Sequence, residues 1–185
     1  MSDAHITRLL LAWGDGDRSA FEQLVPLIYD DLLRIAHQQR RKVRVGETLN
    51  TTALVHEAFA KMVDQRNAEV RNRQHFFAIA ARAMRQILVD AARGQFRAKR
   101  GAGVKALPFD DERLQTQSQA REIIAIDDAL ESLASLDEKL VRIVECRFFA
   151  GFTAQETAEI LGTSVRTIQR DWQRARAWLK DEMSQ

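Results

Sequence analysis

The stretch TAQETAEILGTSVRTIQRDWQRARAW at 153–178 decides how the rest of the chain is read. Thr153 and Glu156 stand at the spacing of a capping box, in which a hydroxyl and a carboxylate satisfy the open amides at a helix start. Ala158, Ile160 and Leu161 form the inner face of that helix. Gly162 falls where the helix end needs a left-handed residue, and Thr163 or Ser164 can cap the next helix after a short turn. In that second helix Val165, Ile168, Trp172, Ala175 and Leu179 recur at steps of three and four and face inward. Arg166, Thr167, Gln169, Arg170, Gln173 and Arg174 are left facing out. Arginine grips guanine edges or phosphates, glutamine pairs with adenine, and the N-terminal half of such a helix is the part that enters a major groove. A solvated basic face would explain the charges alone. It would not explain a capping box, a glycine turn and a basic helix in that order.

Working outward, the chain stays helical. Ile123, Ile126, Leu130 and Leu133 predict one helix, and Leu140, Val141, Ile143, Val144 and Phe148 another. Before them the stretch from 98 to 120, AKRGAGVKALPFDDERLQTQSQA, has two glycines, a proline and no sustained period, which reads as a linker. On its far side, residues 5–13 form a short helix stopped by Gly-Asp-Gly-Asp at 14–17, and a second helix from about Ser19 carries Leu24, Ile28, Leu32 and Ile35 on one stripe. RRKVRVGETLN at 40–50 breaks the period, and Thr51 or Thr52 can cap a third helix bearing Leu54, Val55, Ala58, Phe59 and Met62. A polar loop covers about 64–73. From Gln74 a long helix keeps Phe76, Phe77, Ala80, Met84, Ile87 and Leu88 in register, with Arg82, Arg85, Arg93 and Arg97 mainly elsewhere around it. The expected fold is all-α, two small helical domains at 1–100 and 121–185 joined by a flexible linker at 101–120. Such a tether also allows the two to pack together and mask their basic faces.

Composition narrows the function. Of 185 residues 45% are hydrophobic and 29% charged, with two prolines and eight glycines, as suits packed helices. The net charge is only +2, so nucleic-acid binding has to come from local clusters. Cys146 is the one cysteine, which excludes an internal disulfide and a multi-cysteine zinc site, and its apolar neighbours predict a buried thiol. His5, His37, His56 and His75 are scattered, and no phosphate loop or nucleophile elbow occurs, so neither an enzyme nor a metal or cofactor site is expected. No signal peptide or apolar run of membrane-spanning length is present in the sequence, and a cytoplasmic location is expected.

From 136 to 179 the sequence LDEKLVRIVECRFFAGFTAQETAEILGTSVRTIQRDWQRARAWL closely resembles region 4 of extracytoplasmic-function sigma factors, the promoter-directing subunits of bacterial RNA polymerase. AFEQLVPLIYDDLLRIA at 20–36, ALVHEAFAKM at 53–62 and HFFAIAARAMRQILVDAARGQFRAKR at 75–100 resemble their region 2. The resemblance implies RNA polymerase core and promoter DNA as partners. It puts Leu54, Val55, Glu57 and Phe59 on the helix that docks against the clamp helices of the largest subunit. It assigns Arg82, Arg85, Arg93 and Arg97 to the strands of the minus-10 element. The loop containing Asn67, Asn72 and Arg73, with His75 beside it, matches the segment that holds a flipped-out base. Arg166, Thr167, Gln169, Arg170, Gln173 and Arg174 map to the minus-35 reading helix.

One departure from the family pattern stands out. Relatives carry an acidic cluster just before the docking helix, where this chain has Asn50, Thr51, Thr52 and Ala53. Phosphorylation of Thr51 or Thr52 would restore negative charge at a helix N-terminus, which the helix dipole favours; simple capping by the same hydroxyls is the alternative. Control by an anti-sigma factor or by a Ser/Thr kinase stays open, as does the promoter sequence. A conventional operator-binding helix-turn-helix regulator is the rival reading, and it accounts for the C-terminal half alone.

Overall fold

The computed structural model describes residues 3–43, 50–64, 70, 72–101 and 111–184. Within these the chain forms eight α-helices and one π-helical turn, and no strand. They are α1 (Asp3–Gly14), α2 (Arg18–Val43), α3 (Thr51–Asp64), α4 (Arg73–Gly101), α5 (Asp111–Leu136), α6 (Glu138–Val144), the π turn Glu145–Phe149, α7 (Ala154–Leu161) and α8 (Val165–Glu182). The all-helical expectation holds.

Local chemistry explains most of the helix ends. Gly16 has φ of 97°, a left-handed value that glycine adopts without steric cost, and the adjoining Asp17 accepts from the amides of Ser19 at 2.8 Å and Ala20 at 3.2 Å to open α2. α3 is opened by Asn50 and not by either threonine, since Asn50 Oδ1 accepts from Ala53 N at 2.8 Å. Asparagine reaches the third amide from the cap position, while Thr51 and Thr52 already lie inside the helix. α2 continues to Val43, past the point where its apolar stripe ends, and α5 begins at Asp111, so 111–120 of the expected linker is helical. A helix can run on through turns of polar sequence, which is why neither extension is visible as an apolar stripe. The remainder of that linker, 102–110, lies outside the described residues.

α1 to α4 enclose a core in which Leu10, Leu24, Ile28, Leu32, Leu54, Met84 and Leu88 are fully buried. Each such side chain contributes roughly 1.5–3 kcal/mol of transfer free energy. A second set, Ile123, Leu130, Leu133, Ile143 and Phe149, joins α5, α6 and the π turn, and Ile168 and Ala175 add α8. The buried apolar residues run continuously from one set into the other, because α4 packs against α5 and the π turn. Gln39 of α2 sits fully buried at this junction and donates to the carbonyls of Ala81 at 2.9 Å and Phe149 at 3.4 Å. Gly151, at φ of 77°, comes so close to Gln38 that a Cβ would collide with its amide.

Cys146 lies in the π turn and is buried, as its apolar setting predicts. Burial, with the neighbouring Glu145 carboxylate adding to it, pushes its thiol up to about 12 from an ordinary 9.0. A raised thiol value favours the fold fully below about pH 9, and that contribution is lost as the pH climbs toward 12. At pH 8, iodoacetamide will therefore label Cys146 only through unfolded molecules, with urea accelerating labelling by at least about 100-fold. Equal labelling rates in buffer and in denaturant would overturn this assignment.

Candidate nucleic-acid interface

The helix-turn-helix is built from the caps read in the sequence. Thr153 N donates to Glu156 Oε2 at 2.7 Å, and Glu156 N returns a bond to Thr153 Oγ1 at 3.2 Å, completing the capping box. Gly162 closes α7 in the left-handed region at φ of 61°, with Thr163 N bonded to Ala158 O at 3.0 Å. Of the two candidates, Ser164 is the cap of α8, accepting from Thr167 N at 3.1 Å. Thr167 also shares a 2.9 Å hydroxyl contact with Ser164, so it serves the cap more than the outer face. Arg166, Gln169, Arg170, Gln173 and Arg174 all stand exposed along α8, while Ile168 and Ala175 are buried beneath them.

The inner face of α8 also holds a charge that apolar periodicity overlooks. Asp171 is only 3% exposed, and three cations converge on it: Arg170 Nε at 3.0 Å, Lys139 Nζ at 3.3 Å and Arg174 Nη1 at 3.6 Å. Burial works to raise its carboxyl, but the hydrogen bonds from Arg170 and Lys139 prevail and hold it below the usual carboxylate range. Asp171 thus anchors two arginines of the outer face and ties α8 to the first turn of α6. An acid three residues beyond Ile168, on the buried side of an amphipathic helix, is the signal that marks it.

The second basic set is on α4, and here the structure departs from the expected open row. Arg82 and Arg97 are exposed and Arg93 is half-buried, but Arg85 is enclosed, 8% exposed. Its guanidinium pairs with Asp127 of α5 and with Glu145 of the π turn at 3.1 Å, and lies 5.6 Å from the centre of the Phe149 ring. Arg82 reaches the same Glu145 at 3.6 Å, and Arg93 reaches Asp127 at 3.3 Å and Asp128 at 2.9 Å. The cause is the packing of α5 across α4, which sequence periodicity on either helix does not reveal. At the start of α4, Asn72 Oδ1 accepts from His75 N at 2.8 Å and acts as the helix cap. Arg73 pairs with Asp31 of α2 and lies over the Phe77 ring. Asn67 lies outside the described residues.

A family model for ECF sigma factors matches residues 3–185, almost the whole chain. This protein belongs to the extracytoplasmic-function sigma factor family. No curated protein matches the chain. Sigma factors of this family work with RNA polymerase core on promoter DNA, and the family is not one of enzymes.

In this sigma factor Leu54 and Val55 of α3 are fully buried in the core, so they hold the helix in place and offer no surface of their own. Glu57 is exposed, and Phe59 is half-buried with its ring edge-on to Phe21 at 5.9 Å. Thr51 is half-buried and Thr52 exposed; Arg40 Nη1 donates to Thr51 Oγ1 at 3.3 Å. Among the described residues no group of three His, Cys, Asp or Glu side chains is placed to hold a metal ion, and no helix is long and apolar enough to cross a membrane.

Asp171→Asn removes a buried acceptor of charge-assisted hydrogen bonds and will cost about 1.5–3 kcal/mol in urea unfolding at pH 7. Because the folded carboxyl is lowered, its contribution is present above the ordinary carboxylate range and lost as the pH falls through the depressed value. The gap between wild type and variant should therefore close on acidification. An equal gap at pH 7 and in strong acid would sink this account.

Proposed function

We propose that this sigma factor directs initiation at promoters whose minus-35 element is read by α8 and whose minus-10 element is held by α4 and the loop before it. The observation that carries this reading is the outer face of α8. Arg166, Gln169, Arg170, Gln173 and Arg174 project from a capped helix whose turn geometry suits insertion into a major groove. Asp171 and Ser164 fix the register of that face. Residues 1–100 and 121–185 act as the two functional modules, and 101–120 joins them. With Leu54 and Val55 buried, the docking contact with the polymerase clamp falls to exposed positions of α3 such as Glu57, and to Phe59 at its edge. The location proposed is the cytoplasm, where polymerase works. Run-off transcription with purified core on genomic fragments is the direct test. Promoter-specific transcripts dependent on this chain are the expected result, and Arg166→Ala or Gln169→Ala should each cost roughly 1–3 kcal/mol of discrimination at the bases they contact. Failure to join core in any phosphorylation state would overturn the reading.

Phosphorylation at the start of α3 is the proposed control, by a Ser/Thr kinase. Asn50 takes over the capping, which leaves the threonine hydroxyls without that duty. Arg40 already touches Thr51 Oγ1, and its Nε is buried with no hydrogen-bond partner. A phosphate on Thr51 would meet this guanidinium and the N-terminal dipole of α3 together. Thr51→Ala/Thr52→Ala should fold normally yet recover less core polymerase from cells than wild type. Recovery and transcription equal to wild type would count against the switch.

A further inference from the structure

Three of the four arginines that α4 would offer to promoter strands are already met by three carboxylates. Arg82, Arg85 and Arg93 face Asp127, Asp128 and Glu145, all from the C-terminal half of the chain. Phosphates and carboxylates are alternative partners for the same guanidinium geometry, so α4 cannot hold both at once. We infer that α5 and the π turn form an acidic latch that closes α4 against nucleic acid in the free sigma factor, and that α4 becomes available only when the two halves part.

Two features make this a closure built to open. Arg85 Nε and Gln39 Oε1 are buried at the junction with no hydrogen-bond partner, so the closed form leaves polar groups unsatisfied that water would satisfy on opening. The charges are arranged from buried to exposed: the Arg85 side chain is 9% exposed, Arg93 36% and Arg82 59%. The outer pairs are open to competition by phosphate, and the inner one is released only by separation of the helices. A close fit keeps the closed form specific, since Gly151 lies against Gln38 and Gln39 bridges Ala81 to Phe149. Buried ion pairs contribute little net stability against well-packed apolar groups, whereas an unpaired buried arginine is strongly unfavourable. Removing the acids should therefore open the junction and spare the rest of the fold.

This rests on the proposed role of α4 in holding minus-10 DNA, and the test separates the two. The full chain is prepared as Asp127→Asn/Asp128→Asn/Glu145→Gln, alongside a control of equal charge change at exposed acids remote from the junction, Glu22→Gln/Asp30→Asn/Asp181→Asn. Each is measured by small-angle scattering and by anisotropy with a fluorescein-labelled single strand of mixed sequence. The latch variant should expand and bind the strand about tenfold more tightly than the control, because its competent fraction rises. Adding Arg82→Ala/Arg97→Ala should abolish that gain. Asp128→Asn, at an exposed site that leaves folding intact, should move both readouts the same way by less. A latch variant as compact as wild type overturns the latch. Expansion with no gain in strand binding overturns the role of α4 in holding DNA.

Discussion

A guanidinium withdrawn from water has to be met by carboxylates, and in this fold that constraint falls on Arg85. It lies where α4, α5 and the π turn meet, paired to Asp127 and Glu145 and covered by Phe149. The position of α5 along α4, the direction in which Glu145 points and the close approach of Gly151 to α2 are consistent with this one arrangement. The π turn belongs to it as well. Ala150 N bonds to Glu145 O at 2.9 Å, the wider turn that sets Glu145 toward α4 and the Phe149 carbonyl toward Gln39. Turns of this kind are uncommon and tend to occur at functional places in helices.

The two basic surfaces of this sigma factor are managed by the same chemistry to opposite effect. On α8 a buried carboxylate, Asp171, sits beneath Arg170 and Arg174 and braces them while their face stays open. On α4 the carboxylates arrive from another helix and cover the arginines. An acid on the same helix orients a cation without competing for the space in front of it. One on a neighbouring helix fills that space.

Much of the fold is legible along the chain. The apolar stripes of α2 to α4 name buried residues from Leu24 to Leu88, with Phe59 the half-buried exception. The capping box at Thr153 and Glu156 and the left-handed Gly162 occur as read. Errors arise where two residues of similar capping chemistry stand side by side. Asn50 opens α3 in place of Thr51 or Thr52, which already lie inside the helix. They also arise where helical turns carry no apolar stripe, as at 111–120.

Within the site, the sequence alone determined what short-range forces control: the helix-turn-helix, the outward arginines and glutamines of α8, and the residue types on α4. Caps and amphipathic stripes are satisfied by partners within about four residues, so a linear text contains them. Tertiary structure alone decided that Arg85 is enclosed and which acids meet which arginines. Arg85 finds Asp127 across 42 residues of chain and Glu145 across 60. Such a pairing depends on how helices cross, and that crossing is set by the packed core as a whole, not by any one segment of sequence.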